Sequence, residues 1–158
     1  MMNVQNEAIL TKRVHSGWVD YNGHMNDAAY AQVFSHAVDA LMDTVGLDEA
    51  GRSHFQYTIF TLETHLCYLK EVHLDDSVQV DLRILDYDAK RLHVFFEMKD
   101  SHGDLVATSE QMLLGMDTNE QRPSSFPEQV ESKVKIFFEQ RNDEEKPKQV
   151  GRTIGIRR

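Results

Sequence analysis

One long helical pattern, followed by nothing but strand patterns for seventy residues, is the feature that most limits what this chain can become. From Asn26 to Gly46 the apolar residues Tyr30, Val33, Phe34, Ala37, Val38, Leu41, Met42 and Val45 recur at i, i+3, i+4 and i+7, which is the stripe of an amphipathic helix. Gly46 supplies the stop, and either Asn26 or Asp27 supplies the N-terminal cap. The residues that follow change period. Thr58 to Leu69 reads as a strand, Val78, Val80, Leu82 and Ile84 alternate with polar neighbours, and Leu92, Val94, Phe96 and Met98 do the same, so each run presents one apolar face. Asp86 to Lys90 reads as a turn between the last two runs, and Ser101 to Asp104 as a turn into a strand from Leu105 to Met116. Short turns between successive strands make the sheet antiparallel.

An early strand around Ile9 to His15 completes a sheet of about five strands against one long helix, an α+β arrangement. A single helix covers a single sheet face. The uncovered face and the strand edges predict a homodimer or homotetramer. Beyond Asp117 the pattern changes again. Ser125, three residues before Glu128, with Pro127 between them, is a helix-start signal, and Val130, Val134, Phe137 and Phe138 give the second helix an apolar stripe that ends near Arg141. Asn142 to Arg158 is charged and reads as a tail, mobile or held by a partner chain. The expected organisation is a domain over 1–120 and a C-terminal helix and tail over 121–158.

Composition removes several functional classes. With 158 residues and 41% hydrophobic content, the chain suits one globular domain, and its apolar runs are far shorter than a membrane span. Met1 to Glu7 has neither a basic start nor an apolar stretch of a secretory signal, which points to a cytoplasmic location. A net charge of −9 argues against a nucleic-acid partner, since binding a phosphate backbone needs a basic surface. The single cysteine, Cys67, reads as a small half-buried strand residue. None of the eight histidines pairs at His-x-x-x-His spacing, so no metal is expected.

Chemistry concentrates just before the long helix. Asp20, Asn22 and Gly23 form a turn-prone stretch that delivers a carboxylate to a helix start, where unpaired N–H groups and the helix dipole favour developing negative charge. An isolated aspartate in such a place is usually a turn residue; the surrounding residues change that reading. Asp20-Tyr21-Asn22-Gly23-His24-Met25-Asn26-Asp27-Ala28-Ala29-Tyr30 resembles the Asp-x-x-Gly-His-x-Asn-Asn-x-x-Tyr signature of hotdog-fold acyl-CoA thioesterases of the 4-hydroxybenzoyl-CoA thioesterase branch. Asp27 departs from it, standing where the second asparagine is usual, and Trp18 occupies a place often held by aspartate. The wording Asp-Tyr-Asn-Gly-His-Met-Asn-Asp is also similar to that of the betainyl-CoA thioesterases of bacterial carnitine breakdown.

The resemblance, over roughly residues 8 to 117, implies a hotdog fold, with the antiparallel sheet wrapped around the central helix, and hydrolysis of a small acyl-CoA thioester without metal or redox cofactor. It implies that Asp20 attacks the thioester carbon or activates water against it, that backbone amides near Asp27 stabilise the oxyanion, that Gly23 permits close backbone approach, and that His24 and Asn26 hold the loop or orient water. Tyr30, at core spacing, is expected in the core. Glu63 and His65, two apart in a strand, share a face; they read either as a surface-facing pair or, with Asp20, as a polar cluster in which Glu63 binds a cationic acyl group while Trp18, Tyr21 or Tyr68 offers a cation–π contact. Lys90 and Arg91, with Lys12 or Arg13 of a neighbouring subunit, are the expected CoA contacts. A noncatalytic acyl-CoA-binding module and an acyl-thioester hydratase or dehydratase are the alternatives.

Overall fold

The computed structural model describes residues 8–158; the reading of Met1 to Glu7 as lacking a signal lies outside the described residues. The long helix is α1, Asp27–Thr44, and its buried residues Tyr30, Val33, Phe34, Ala37, Val38, Leu41 and Met42 are the expected stripe. Asn26 is the cap: its side-chain oxygen accepts the Ala29 N–H at 3.0 Å, satisfying one of the donors that a helix start leaves unpaired.

Five strands, β1 (Leu10–Arg13), β2 (Tyr57–Tyr68), β3 (Ser77–Tyr87), β4 (Arg91–Lys99) and β5 (Leu105–Asp117), form an antiparallel sheet in the order β1-β3-β4-β5-β2, and a two-residue β6 (Arg122–Pro123) pairs with β5. Val78, Val80, Leu82 and Ile84 of β3, with Leu92, Val94, Phe96 and Met98 of β4, share one buried core with α1, so the sheet curls around the helix in the hotdog arrangement. β-bulges at Leu62 and Leu85 interrupt the pairing, and bulges sharpen the local bend of a sheet that must wrap something. At the far end of β2 the Tyr57 hydroxyl donates to the Ser124 carbonyl at 2.6 Å, and burial pushes its pKa up. A Cβ on Gly115 would come 1.7 Å from that hydroxyl, so glycine is the residue that lets β5 pass there.

Three features differ from the sequence reading. A short helix, α2 (Glu49–Phe55), follows α1 and buries none of its residues; with no apolar face it left no periodic signal, although Asp48 caps it by accepting the Gly51 N–H at 2.8 Å. The second long helix, α3 (Glu128–Arg141), begins at Pro127 with no side-chain cap, so the Ser125–Glu128 capping box is not formed. Nor is the segment after α3 loose as far as Gly151: Arg83 donates to the carbonyls of Glu145 at 2.9 Å and Glu144 at 2.6 Å, Gln149 is buried, and Gly151 N–H donates to Glu110. Those contacts lie within one chain, where main-chain carbonyls and an amide of the tail meet the Arg83 and Glu110 side chains of the sheet. Val130 and Val134 of α3 are fully buried in the same core as α1.

Among the described residues, strand β2 has a free edge along its whole length. Phe60 and Leu62 on it are more than half exposed.

Candidate active site

The loop before α1 is built on Trp18. Its indole is buried, its ring N–H donates to Gln32 at 3.1 Å, and its carbonyl accepts both the main-chain and the side-chain N–H of Asn26, each at 2.9 Å. Trp18 is thereby a post that fixes the helix start, and Asn26 spends its whole side chain on that start. Between them the chain folds back on itself. Asp20 Oδ1 accepts the N–H groups of Asn22 at 2.9 Å and His24 at 3.1 Å, a side-chain turn that holds the carboxylate in one rotamer while its second oxygen has no protein partner among the described residues. Gly23 sits at φ +76° with open space where a Cβ would go, so the turn needs glycine for its backbone conformation. Tyr21 projects into solvent, 96% exposed.

Helix α1 leaves the N–H groups of Asp27 and Ala28 without intrahelical acceptors, at the positive end of an eighteen-residue dipole. Beside this helix start lies a cavity of about 390 Å³ walled by Met25, Asp27, Tyr30, Tyr68 and Glu71. The Tyr30 and Tyr68 rings meet edge to face at 5.2 Å. Their hydroxyls donate to the carbonyls of Lys70 at 3.3 Å and Asp27 at 3.4 Å. Burial pushes the pKa of Tyr30 up, and nearby Glu71 adds to it; burial and then Asp27 do the same for Tyr68. Both phenols therefore stay neutral at physiological pH. The cationic neighbour, Lys70, is committed elsewhere, with its ammonium 2.8 Å from Asp104 and 3.0 Å from Asp100. What remains is a pocket with two aromatic rings, two exposed carboxylates and, among the described residues, no uncommitted cation on its wall.

Glu63 and His65 stand elsewhere. His65 pairs with Glu110 and Leu66 with Ser109, so the alternation of β2 sends Leu66 and Tyr68 toward α1 and sends Glu63, His65 and Cys67 to the outer face. There Glu63 and His65 rim a separate cavity of about 610 Å³ with His93, Glu110 and Arg152. His93 Nε2 lies 2.6 Å from Glu110 Oε2, and Glu110 Oε1 accepts the Gly151 N–H at 2.8 Å. Within one chain, then, the Glu63 and His65 pair lines the outer cavity, Met25 at the end of the Asp20 loop lines the cavity at the start of α1, and Asp20 itself lines neither. Lys90 and Arg91 lie in the β3–β4 turn, where Asp88 accepts the Arg91 Nε–H at 2.7 Å. Lys90 forms no ion pair among the described residues.

Sequence reasoning placed Tyr30 in the core, where it is, and left out that the same ring also walls the cavity. It missed Glu71 as well, which stands on the same wall.

The comparisons with known proteins agree with this architecture. Residues 14–134 match the model of the thioesterase-like superfamily. The chain is 41% identical over 140 residues to a betainyl-CoA thioesterase of Pseudomonas aeruginosa, covering 88% of each protein. It is 36% identical over 155 residues to an L-carnitine dehydrogenase/betainyl-CoA thioesterase of Rhizobium meliloti, covering 95% of this chain and 30% of that longer one. A Staphylococcus aureus protein solved in complex with CoA superposes with a TM-score of 0.90 at 34% identity, over 99% of this chain and all of the other. The superfamily match spans most of the chain and includes both the turn at Asp20 and the cavity at the start of α1. This chain belongs to the thioesterase-like superfamily.

Proposed function

We propose that this acyl-CoA thioesterase hydrolyses the CoA ester of a small acid bearing a quaternary ammonium group, with betainyl-CoA as the substrate. The observation that carries this reading is the cavity at the start of α1, where Tyr30, Tyr68, Asp27 and Glu71 offer π faces and negative charge while Lys70 is neutralised by Asp100 and Asp104. A trimethylammonium group has no hydrogen to donate. It is recognised through aromatic faces and through carboxylates at longer range, and this wall supplies both. The named activity of the Pseudomonas relative supports the same choice.

In the reaction, the Asp20 carboxylate either attacks the thioester carbon or takes a proton from a water that does. Its fixed rotamer serves both routes. The N–H groups of Asp27 and Ala28 receive the oxyanion. One such donor typically lowers the barrier by about 3 kcal/mol. Collapse expels the CoA thiolate, and with water consumed the products are the free acid and the thiol. His24 and Asn26 act by holding the loop. Lys90, whose charge is unpaired among the described residues, is the stronger CoA contact of the β3–β4 turn; Arg91 gives most of its charge to Asp88. Two copies join through the free edge of β2, which exposes Phe60 and Leu62 and is the kind of edge that proteins pair rather than leave open. Glu63 and Tyr21 contribute to acyl binding across that assembly.

Thiol release measured over a panel of betainyl, short aliphatic and aromatic CoA esters tests the function. The betainyl ester should give the highest kcat/KM, and Asp20→Asn should abolish turnover on every ester. Binding of esters without thiol release would make the chain a binding module, and hydration of an enoyl ester would make it a hydratase.

A further inference from the structure

Next to the Asp20 turn, two segments far apart in sequence cross as a short antiparallel bridge between His24 and His73. Met25 N–H donates to the Val72 carbonyl at 2.7 Å, and Leu74 N–H donates to the Gly23 carbonyl at 2.9 Å. That pattern makes His24 and His73 a non-hydrogen-bonded pair, the arrangement in which facing side chains come closest. Their rings are 4.8 Å apart. Glu71, two residues before His73, projects on the same side, and its carboxylate lies 3.6 Å from His24 Nε2. One ligand atom from each of His24, Glu71 and His73 falls within 4.8 Å of the others.

From this geometry we propose that His24, Glu71 and His73 form a binding site for a divalent first-row transition metal of the zinc type. Two imidazoles and one carboxylate suit such an ion, with water completing the shell. A modest closing of the side chains brings the three donors to ligand distance, because the backbone bridge already fixes both histidines. The His73 ring is also backed by an acid: Asp76 accepts the His73 main-chain N–H at 2.8 Å and lies 3.7 Å from its Nδ1. A carboxylate behind one ring nitrogen directs the other toward a metal. The ion would tie the Asp20 loop, through His24, to the segment joining β2 and β3. It would also engage Glu71, which walls the acyl cavity, so occupancy links metal supply to acceptance of a cationic acyl group. That consequence rests on the function proposed above; the binding itself does not.

Titration of tag-free protein with Co(II), followed by its visible absorption, and with Zn(II), followed by calorimetry, decides the matter at pH 7.5. The expected result is one saturable equivalent that is lost in His73→Ala and in Glu71→Gln and retained in His102→Ala and in His93→Ala, with circular dichroism showing every variant folded. Absence of a saturable equivalent in the unaltered protein overturns the proposal. So does retention in His73→Ala, or loss in His93→Ala instead, which would move the site to the outer cavity. Thioester hydrolysis is not part of this readout, so failure of the metal site and failure of the acyl assignment are separately visible.

Discussion

Strand β2 serves two cavities that have similar ingredients and different surroundings. Tyr68 faces the start of α1, where Asp27 and Glu71 stand beside free helix amides and neutral phenols. Three and five residues earlier, His65 and Glu63 face the outer surface, where the acid at the centre, Glu110, is already occupied by His93 and by the Gly151 N–H. The inner cavity holds carboxylates with unspent capacity, and the outer one holds a carboxylate whose bonds fasten the tail. Carboxylates in a cavity therefore say little until their partners are counted. An acid that accepts two strong hydrogen bonds is part of the architecture, and one that faces open space is available to a ligand.

The sharpest way to break this contrast is at Asp20. Asp20→Asn keeps an oxygen for the turn and removes the carboxylate, so kcat should fall by about 10²–10⁴-fold with the far-ultraviolet dichroism unchanged. Glu110→Gln, in the outer cavity, should leave kcat within about twofold, since charge changes remote from the reacting atoms do not alter transition-state binding. A loss in Glu110→Gln as large as that in Asp20→Asn would make the outer cavity the reaction site.

A second comparison tests recognition. Asp27→Asn should raise KM for a quaternary-ammonium thioester by about tenfold relative to an uncharged ester of equal size, the effect of losing roughly 1.4 kcal/mol of attraction to one nearby charge. Glu63→Gln should raise the same ratio less. The reverse ranking would place Glu63, brought by a neighbouring copy, at the acyl group. In urea the order should invert. Glu110→Gln weakens charge-assisted bonds to His93 and Gly151 and should cost about 1–2 kcal/mol, whereas Asp27→Asn, exposed and without an ion pair among the described residues, should be close to neutral.

The smallest expected effect lies beside the outer cavity, in the turn that carries Arg91. Hydrogen bonding from Arg91 holds the Asp88 pKa at about 2. A carboxylate whose folded pKa is depressed adds stability that is complete above its unfolded pKa and is lost as pH falls through the folded one. The contribution should therefore fade between roughly pH 4, where an unfolded aspartate titrates, and about pH 2. Solvent screening keeps it small, because both groups are exposed. In Arg91→Ala, an NMR titration should find the Asp88 pKa moved back toward the ordinary carboxylate range; an unchanged value would show that the turn amides of Lys90 and Arg91 hold it alone.

Much of this molecule was legible before folding was considered. The stripe from Tyr30 to Val45 gave α1 nearly to the residue, and period-two runs gave β3 and β4, because burial on one side imposes a repeat that composition cannot hide. Asp20 stood out only through its motif, which is what makes it the proposed carboxylate; taken singly it is the turn residue that its two hydrogen bonds make it. Helix α2 was not legible, since a helix that buries nothing leaves no stripe. The capping box at Ser125 was read where Pro127 in fact starts α3 without a side-chain cap. Nor could alternation tell which face of β2 looks at α1. Spacing states that Glu63 and His65 are together; pairing with β5 states where.

By itself, then, the sequence determined the elements, their order and the presence of a carboxylate at a helix start, because these follow from local periodicity and from turn chemistry within a few residues. Tertiary structure alone decided which acids remain free. It drew Glu71 beside Tyr68, neutralised Lys70 with Asp100 and Asp104, spent Glu110 on the tail, and set His24 against His73 from 49 positions away. Those outcomes depend on strand register and on the curl of the sheet around α1. The physical reason is that a side chain's charge is committed by the neighbours it meets in space, and neighbours of that kind leave no trace in linear spacing.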